Sequence, residues 1–160
     1  GAIKNAKILN GTIENAKIAN ATIERLKIKG HELTEIASSF VSTAYSPPYS
    51  VGWNSITNLQ TLTISAEAGY PAIIRWIAQV KAEDIEGDVW LGVRLLRNGT
   101  VLSARGPFYH SPVSQTLPLV SEWVDTGVST GLTTYAIQCR AATGAATIYE
   151  RTLTVTYAYR

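Results

Sequence analysis

The sequence holds one cysteine, no methionine, and no aromatic residue before position 40. A single cysteine, Cys139, excludes an intrachain disulfide framework. With no Met even at position 1, the chain is expected to be a fragment or a processed product, with Gly1 left by cloning. Charged residues make up only 16% of the 160, and the net charge is +2. That balance gives no electrostatic footprint for nucleic acid or for an anionic membrane surface. No apolar run approaches the roughly 20 residues of a spanning helix. No charged-then-apolar leader opens the chain, so neither membrane insertion nor a signal peptide is expected. A hydrophobic content of 46% and a mean hydropathy of +0.05 exclude disorder as a description of the whole. The length allows one compact domain and an appendage, not two full domains.

Charge and aromatics are unevenly spread. Residues 1–35 carry six basic and four acidic groups, whereas the remainder is balanced at eight of each. All fourteen aromatic residues lie from Phe40 onward. The pattern reads as a stalk followed by a packed head.

The stalk repeats with period five. Isoleucine stands at Ile3, Ile8, Ile13, Ile18, Ile23 and Ile28, and Leu33 continues the series. Two positions before each stands a mostly small residue, and Asn5, Asn10, Asn15 and Asn20 follow two positions after the first four. Steps of five scatter around an α-helix and flip faces on a straight strand. A chain that turns a corner every five residues instead points each Ile inward, with Asn at the bend. A single-chain solenoid of pentapeptide type has this grammar, but seven pentads make fewer than two coils, and solenoids need about three stacked units. Three chains around a common axis could close the core. The stalk is therefore expected to be a trimeric β-structure, with a monomeric mini-solenoid and a disordered or helical segment as alternatives.

The string Gly11-Thr-Ile-Glu-Asn-Ala-Lys-Ile-Ala-Asn-Ala-Thr-Ile-Glu-Arg-Leu-Lys-Ile-Lys-Gly30 resembles the C-terminal part of phage central tail fibre proteins. These are the host-specificity, or tip-attachment, proteins of lambda-like siphophages. In that family, tandem Ala-x-Ile units end in a step like Leu26-Lys-Ile-Lys-Gly30 and lead into a β-rich distal domain. His31 departs from the small polar residue that pattern carries next. The resemblance covers about residues 5–30. It implies a homotrimer at the virion tail tip that joins an upstream tail-tip protein. It also implies attachment to a host receptor, either a polysaccharide or an outer-membrane or pilus protein. Trp123-Val-Asp-Thr-Gly127, Thr134-Tyr-Ala-Ile137 and Arg151-Thr-Leu-Thr-Val155 look like β-sandwich tips of phage tail fibres, more distantly.

From Phe40 onward apolar residues alternate. The series Leu62/Ile64/Ala66, Ile74/Trp76/Ala78/Val80/Ala82 and Val89/Leu91/Val93/Leu95 predict strands. Leu117 to Val124, Tyr135/Ile137/Cys139/Ala141 and Leu153/Val155/Tyr157/Tyr159 predict more. Asn98-Gly99 between two such runs predicts a hairpin. Seven to nine strands near ten-residue spacing read as an all-β, jelly-roll-like sandwich. A short helix at Leu33, Ile36, Ala37 and Phe40 is compatible with their shared face. The expected organisation is a trimerisation stalk over 1–35, a linker and loop over 36–55, and a sandwich head over 56–160.

Catalytic chemistry finds little support. His31 and His110 have no partner at metal-ligand or triad spacing, and phosphate loops and dinucleotide fingerprints are absent. Three copies of His31 on an axis could hold an ion, although a hydrogen-bonded turn histidine is the plainer reading. Cys139 reads as a small buried hydrophobe. Glu83, Asp84, Glu86 and Asp88 around Gly87 read as a solvated hairpin loop rather than as glycosidase carboxylates, with a weak calcium site as the alternative. The sequons at Asn10, Asn20 and Asn98 follow from the repeat and the hairpin. No cofactor, metal or catalytic residue is expected.

Two proline- and aromatic-rich segments, residues 45–54 and 106–112, are expected to be exposed loops, because proline blocks strand pairing. They make Tyr45, Tyr49, Trp53, Phe108, Tyr109 and His110 candidates for receptor contact, with capping of the sandwich ends as the plainer role. Trp76 and Trp90 are expected in the core. The leading expectation is a non-enzymatic receptor-binding end of a homotrimeric fibre. A carbohydrate-binding module of a larger cell-surface protein or enzyme is the alternative, and a ligand-free trimerisation unit the third.

Overall fold

Alternation of apolar and polar side chains gives each strand one face to bury, and two such sheets bury each other. The computed structural model describes residues 33–49, 53, 56–83, 89–110 and 116–159. Eight strands run as β1 (Leu33–Val41), β2 (Gln60–Ala66), β3 (Ala72–Ala82), β4 (Val89–Arg97), β5 (Thr100–His110), β6 (Thr116–Asp125), β7 (Gly131–Thr143) and β8 (Ala146–Tyr159). They form two antiparallel four-stranded sheets, β1-β8-β3-β6 and β2-β7-β4-β5. First pairs with last, second with seventh, third with sixth and fourth with fifth. This nested order is that of an eight-stranded jelly roll. The expected stalk core, Ile3 to Ile28, and His31 lie outside the described residues.

The core follows the alternation closely. Ile74, Trp76, Ala78, Val80 and Ala82 of β3 face Val89, Leu91, Val93 and Leu95 of β4, with Tyr135, Ile137, Cys139 and Ala141 of β7 and Leu153, Val155 and Tyr157 of β8 completing the layer. Gln60 is a polar side chain that joins the two sheets. The Gln60 amide of β2 accepts from the Trp76 indole N–H at 3.1 Å and donates to the Ser39 carbonyl of β1 at 2.6 Å. Both of its polar ends are thereby satisfied inside an apolar core.

Among the described strands only β4 and β5 are consecutive in one sheet, and Asn98-Gly99 makes their turn with φ of 48° and 82°. Positive φ at both central positions suits the right-handed twist of the flanking strands, which is why Asn-Gly serves there. The Asn98 side chain adds a bond, accepting from the Thr134 N–H at 2.8 Å.

Several expectations need correction. Leu33, Ile36, Ala37 and Phe40 lie on strand β1, paired along its length with β8. Residues 36–41 are therefore part of a sheet and not of a linker. The segment after Glu83 is no hairpin, because β3 and β4 belong to different sheets; Lys81 holds the Glu83 carboxylate at 3.1 Å, and residues 84–88 lie outside the described set. Residues 106–110 belong to β5. Pro107 is tolerated because β5 is an edge strand and the register slips opposite Gly92. Trp90, finally, is half-buried and alternates away from core-facing Val89 and Leu91.

Candidate functional site

The segment between β1 and β2 must cross from one sheet to the other, and it does so by using edges the strands leave over. Beyond the β1 pairing, Tyr45 exchanges two backbone bonds of 2.8 Å with Ile148. Beyond the β2 pairing, the Pro48 carbonyl accepts from Ala141 at 3.0 Å and Leu59 donates to the Ile137 carbonyl at 2.8 Å. Prolines are accommodated because only a carbonyl is required of Pro48. The buried Arg151 guanidinium fixes the start of the crossing, donating to the Thr43 carbonyl at 2.7 Å.

Trp53 is the anchor of this segment. Its ring lies over Gly92 on the outer face of β4; a Cβ there would meet the ring at 3.1 Å, so glycine is what seats it. The Arg94 and Arg140 guanidinium carbons lie 4.6 and 5.2 Å from the ring centre. Arg94 donates to Gln138 at 2.7 Å, and Gln138 donates to Asn58 at 2.8 Å. Burial lowers the Arg94 pKa, and the planar contact with an aromatic face offsets lost hydration. An indole, two guanidinium groups and two amides supply stacking and hydrogen bonding. None of these five side chains is a nucleophile paired with a base.

The candidate residues differ in where the fold places them. Tyr45 is half-buried in its bridge to Ile148, and Trp53 is half-buried in the arginine stack. Tyr49 is broadly displayed, at 68% exposure. Phe108, Tyr109 and His110 lie at the far end of β5, opposite Leu91, Trp90 and Val89, on strand and not loop. Sequence reasoning missed Gly92, Arg94, Gln138 and Arg140 altogether. Arg94 and Gln138 alternate with core residues on β4 and β7, and their outward positions were the available signal.

The crossing segment yields a graded expectation. Trp53→Ala removes a half-buried ring and its cation contacts, and should cost roughly 2 kcal/mol. Tyr49→Ala should change stability by no more than about 0.5 kcal/mol. Urea denaturation of both variants reads the difference; equal losses would show that Trp53 does not anchor the segment.

A second polar group was also missed. The Asp125 carboxylate, buried at the end of β6, accepts from Arg97 at 2.8 and 3.0 Å, from the Tyr135 hydroxyl at 2.9 Å and from the Gly127 N–H at 3.0 Å. It binds β6 of one sheet to β4 and β7 of the other. Burial first, and the Asp125 carboxylate second, raise the Tyr135 pKa. Cys139 is fully buried, and desolvation pushes its thiol up to about 12, so the nucleophilic thiolate is scarce at neutral pH. Among the described residues no three His, Cys, Asp or Glu side chains group as a metal site.

No protein-family model and no curated protein matches the sequence. Among solved structures, the chain is similar to the EclA C-terminal domain, a sugar-binding protein, at 17% identity over 69% of this chain and 76% of that one, with a TM-score of 0.39. It is similar to dimeric latent PorU from Porphyromonas gingivalis at 15% identity, over 78% of this chain and 13% of that one, with a TM-score of 0.39. It is similar to VP2 of the infectious bursal disease virus subviral particle at 10% identity, over 82% of this chain and 38% of that one, with a TM-score of 0.37.

Proposed function

We propose that this chain is the distal part of a homotrimeric phage tail fibre that attaches the virion to a host surface receptor and performs no catalysis. The observation that carries the reading is the junction at Leu33. A period-five isoleucine repeat too short to close its own core runs directly into the first strand of a jelly roll. Fibres need such a joining stalk, and a free-standing binding module does not. The crossing segment, with Tyr49 displayed and Trp53 packed against two arginines, supplies the contact surface. Threefold symmetry presents three copies, so weak single contacts gain on the order of a hundredfold through simultaneous engagement. The receptor is a polysaccharide or an outer-membrane or pilus protein, and the upstream partner is the tail-tip protein.

Two measurements test this. Light scattering should give three times 17.3 kDa, which is 51.9 kDa. Purified protein added to host cells should block adsorption of the parent particle, and Tyr49→Ala should weaken that block at least tenfold with an unchanged melting temperature. A monomer that binds glycans would favour the carbohydrate-binding module, a reading the indole, guanidinium and amide group also suits. An undiminished block by the Tyr49 variant would move the contact elsewhere on the head.

A further inference from the structure

The outer face of the β1-β8-β3-β6 sheet carries apolar side chains where alternation calls for polar ones. The registers align them in two rows, in which β1, β3 and β6 supply the apolar residues and β8 supplies threonine. One row is Ile36, Thr156, Ile73 and Val124; the other is Phe40, Thr152, Ile77 and Val120. Ile36 is 66% exposed, Phe40 63%, Val124 62% and Val120 54%, so the described residues leave the face uncovered. Between the rows run Ser38, Thr154, Arg75 and Glu122, and Arg75 holds Glu122 at 2.7 Å. The face therefore closes without burying an unpaired charge.

We propose that this face is the surface by which the heads of three copies of this chain meet around the fibre axis, an inference that rests on the trimer reading above. Where the preceding chain ends decides the occupant. Residues 1–32 lead straight into Leu33 of β1, and β1 is the strand that presents Ile36 and Phe40 to this face. Copies joined through the isoleucine repeat are thus delivered with β1 at the junction, and turning this sheet inward covers both rows. Area supports a dependent contact. Four strands span roughly 20 Å and the two rows about 15 Å along them, or about 300 Å² per copy. A stable two-body interface needs about 800 Å² per partner. The face cannot join copies alone, but it can close once the repeat has joined them.

Cysteine cross-linking of the full chain tests the face separately from the trimer. Thr154→Cys stands at the centre of the face and Ser38→Cys on its β1 side; Thr61→Cys, exposed on the opposite sheet, is the control. The native Cys139 is buried and does not compete. With a trimeric mass, a short bismaleimide should cross-link T154C and S38C chains at least tenfold faster than T61C chains. A trimeric mass with no such preference overturns the face and leaves the trimer standing. A monomeric mass overturns both. In that monomer, protection of the T154C thiol from a maleimide dye would mean that residues 1–32 cover the face of their own chain. A reactive thiol would mean that it stays open.

Discussion

Trp76→Ala should leave the sandwich largely unfolded at temperatures where the parent chain is native. The indole is wholly buried in the central strand β3 and is the largest of the fully buried side chains among the described residues. Trp-to-Ala changes in cores cost about 3–5 kcal/mol. The Gln60 carbonyl oxygen loses its indole donor in the same change, which adds about 1–3 kcal/mol for an orphaned buried acceptor. The sum rivals the whole stability of a domain this size, about 5–15 kcal/mol. Trp76→Phe keeps most of the apolar volume and should cost about 2–3 kcal/mol. Trp90→Ala, at a half-buried outer position, should cost only about 1–2 kcal/mol. Thermal denaturation of the three should rank them in that order, and a Trp90 variant as damaged as the Trp76 one would overturn the burial argument.

Asp125→Ala should be the next most damaging change, at about 3–4 kcal/mol. It removes the acceptor of four hydrogen bonds and leaves the Tyr135 hydroxyl without this partner in the core. The other partner, Arg97, keeps about a quarter of its side chain in water, which holds the cost below that of a fully buried orphaned cation. Asp125→Asn, able to keep part of the geometry, should fall between. Alkaline titration gives an independent check. Tyr135 binds its phenolic proton more tightly folded than unfolded, so the stability it lends is complete below the ordinary value of 10.0 and is lost as pH rises above it. Urea midpoints should fall above pH 10, and Tyr135→Phe should flatten that fall. A parent midpoint that stays level there would refute the linkage.

How much of this was legible depended on whether the deciding contact was local. Ile74 to Ala82 alternates because β3 has one buried face, and a period of two survives in any register. Asn98-Gly99 was legible because its requirement is confined to two residues. Strand β1 was not, since Ile36, Ala37 and Phe40 share a helical face equally well. Pairing with β8, more than a hundred residues away, decides for a strand and turns Ile36 and Phe40 outward. Pro107 looked like a loop because nothing near it announces an edge strand with a slip opposite Gly92. The seat of Trp53 on Gly92 and the ring of donors around Asp125 join residues far apart in the chain. Neither has any signature in neighbouring letters.

The nested pairing of strands also sets an order of events during synthesis. The β4–β5 hairpin can form first, because it closes on itself; each further pair must span a longer loop, and β1 with β8 the longest. Arg151, at the end of that last pair, bonds Thr43 just past β1, 108 residues away in the chain. At 5–20 residues per second, β1 leaves the ribosome on the order of ten seconds before its partner. Throughout that interval Ile36 and Phe40 are exposed on an unpaired strand, immediately behind the repeat that the proposed trimer would use to join copies. Nascent chains that associate through the repeat would hold three incomplete heads side by side, where an early β1 can take a neighbour's β8 in place of its own. Slow translation of the last strand thus carries a specific hazard for this topology, the exchange of strands between copies.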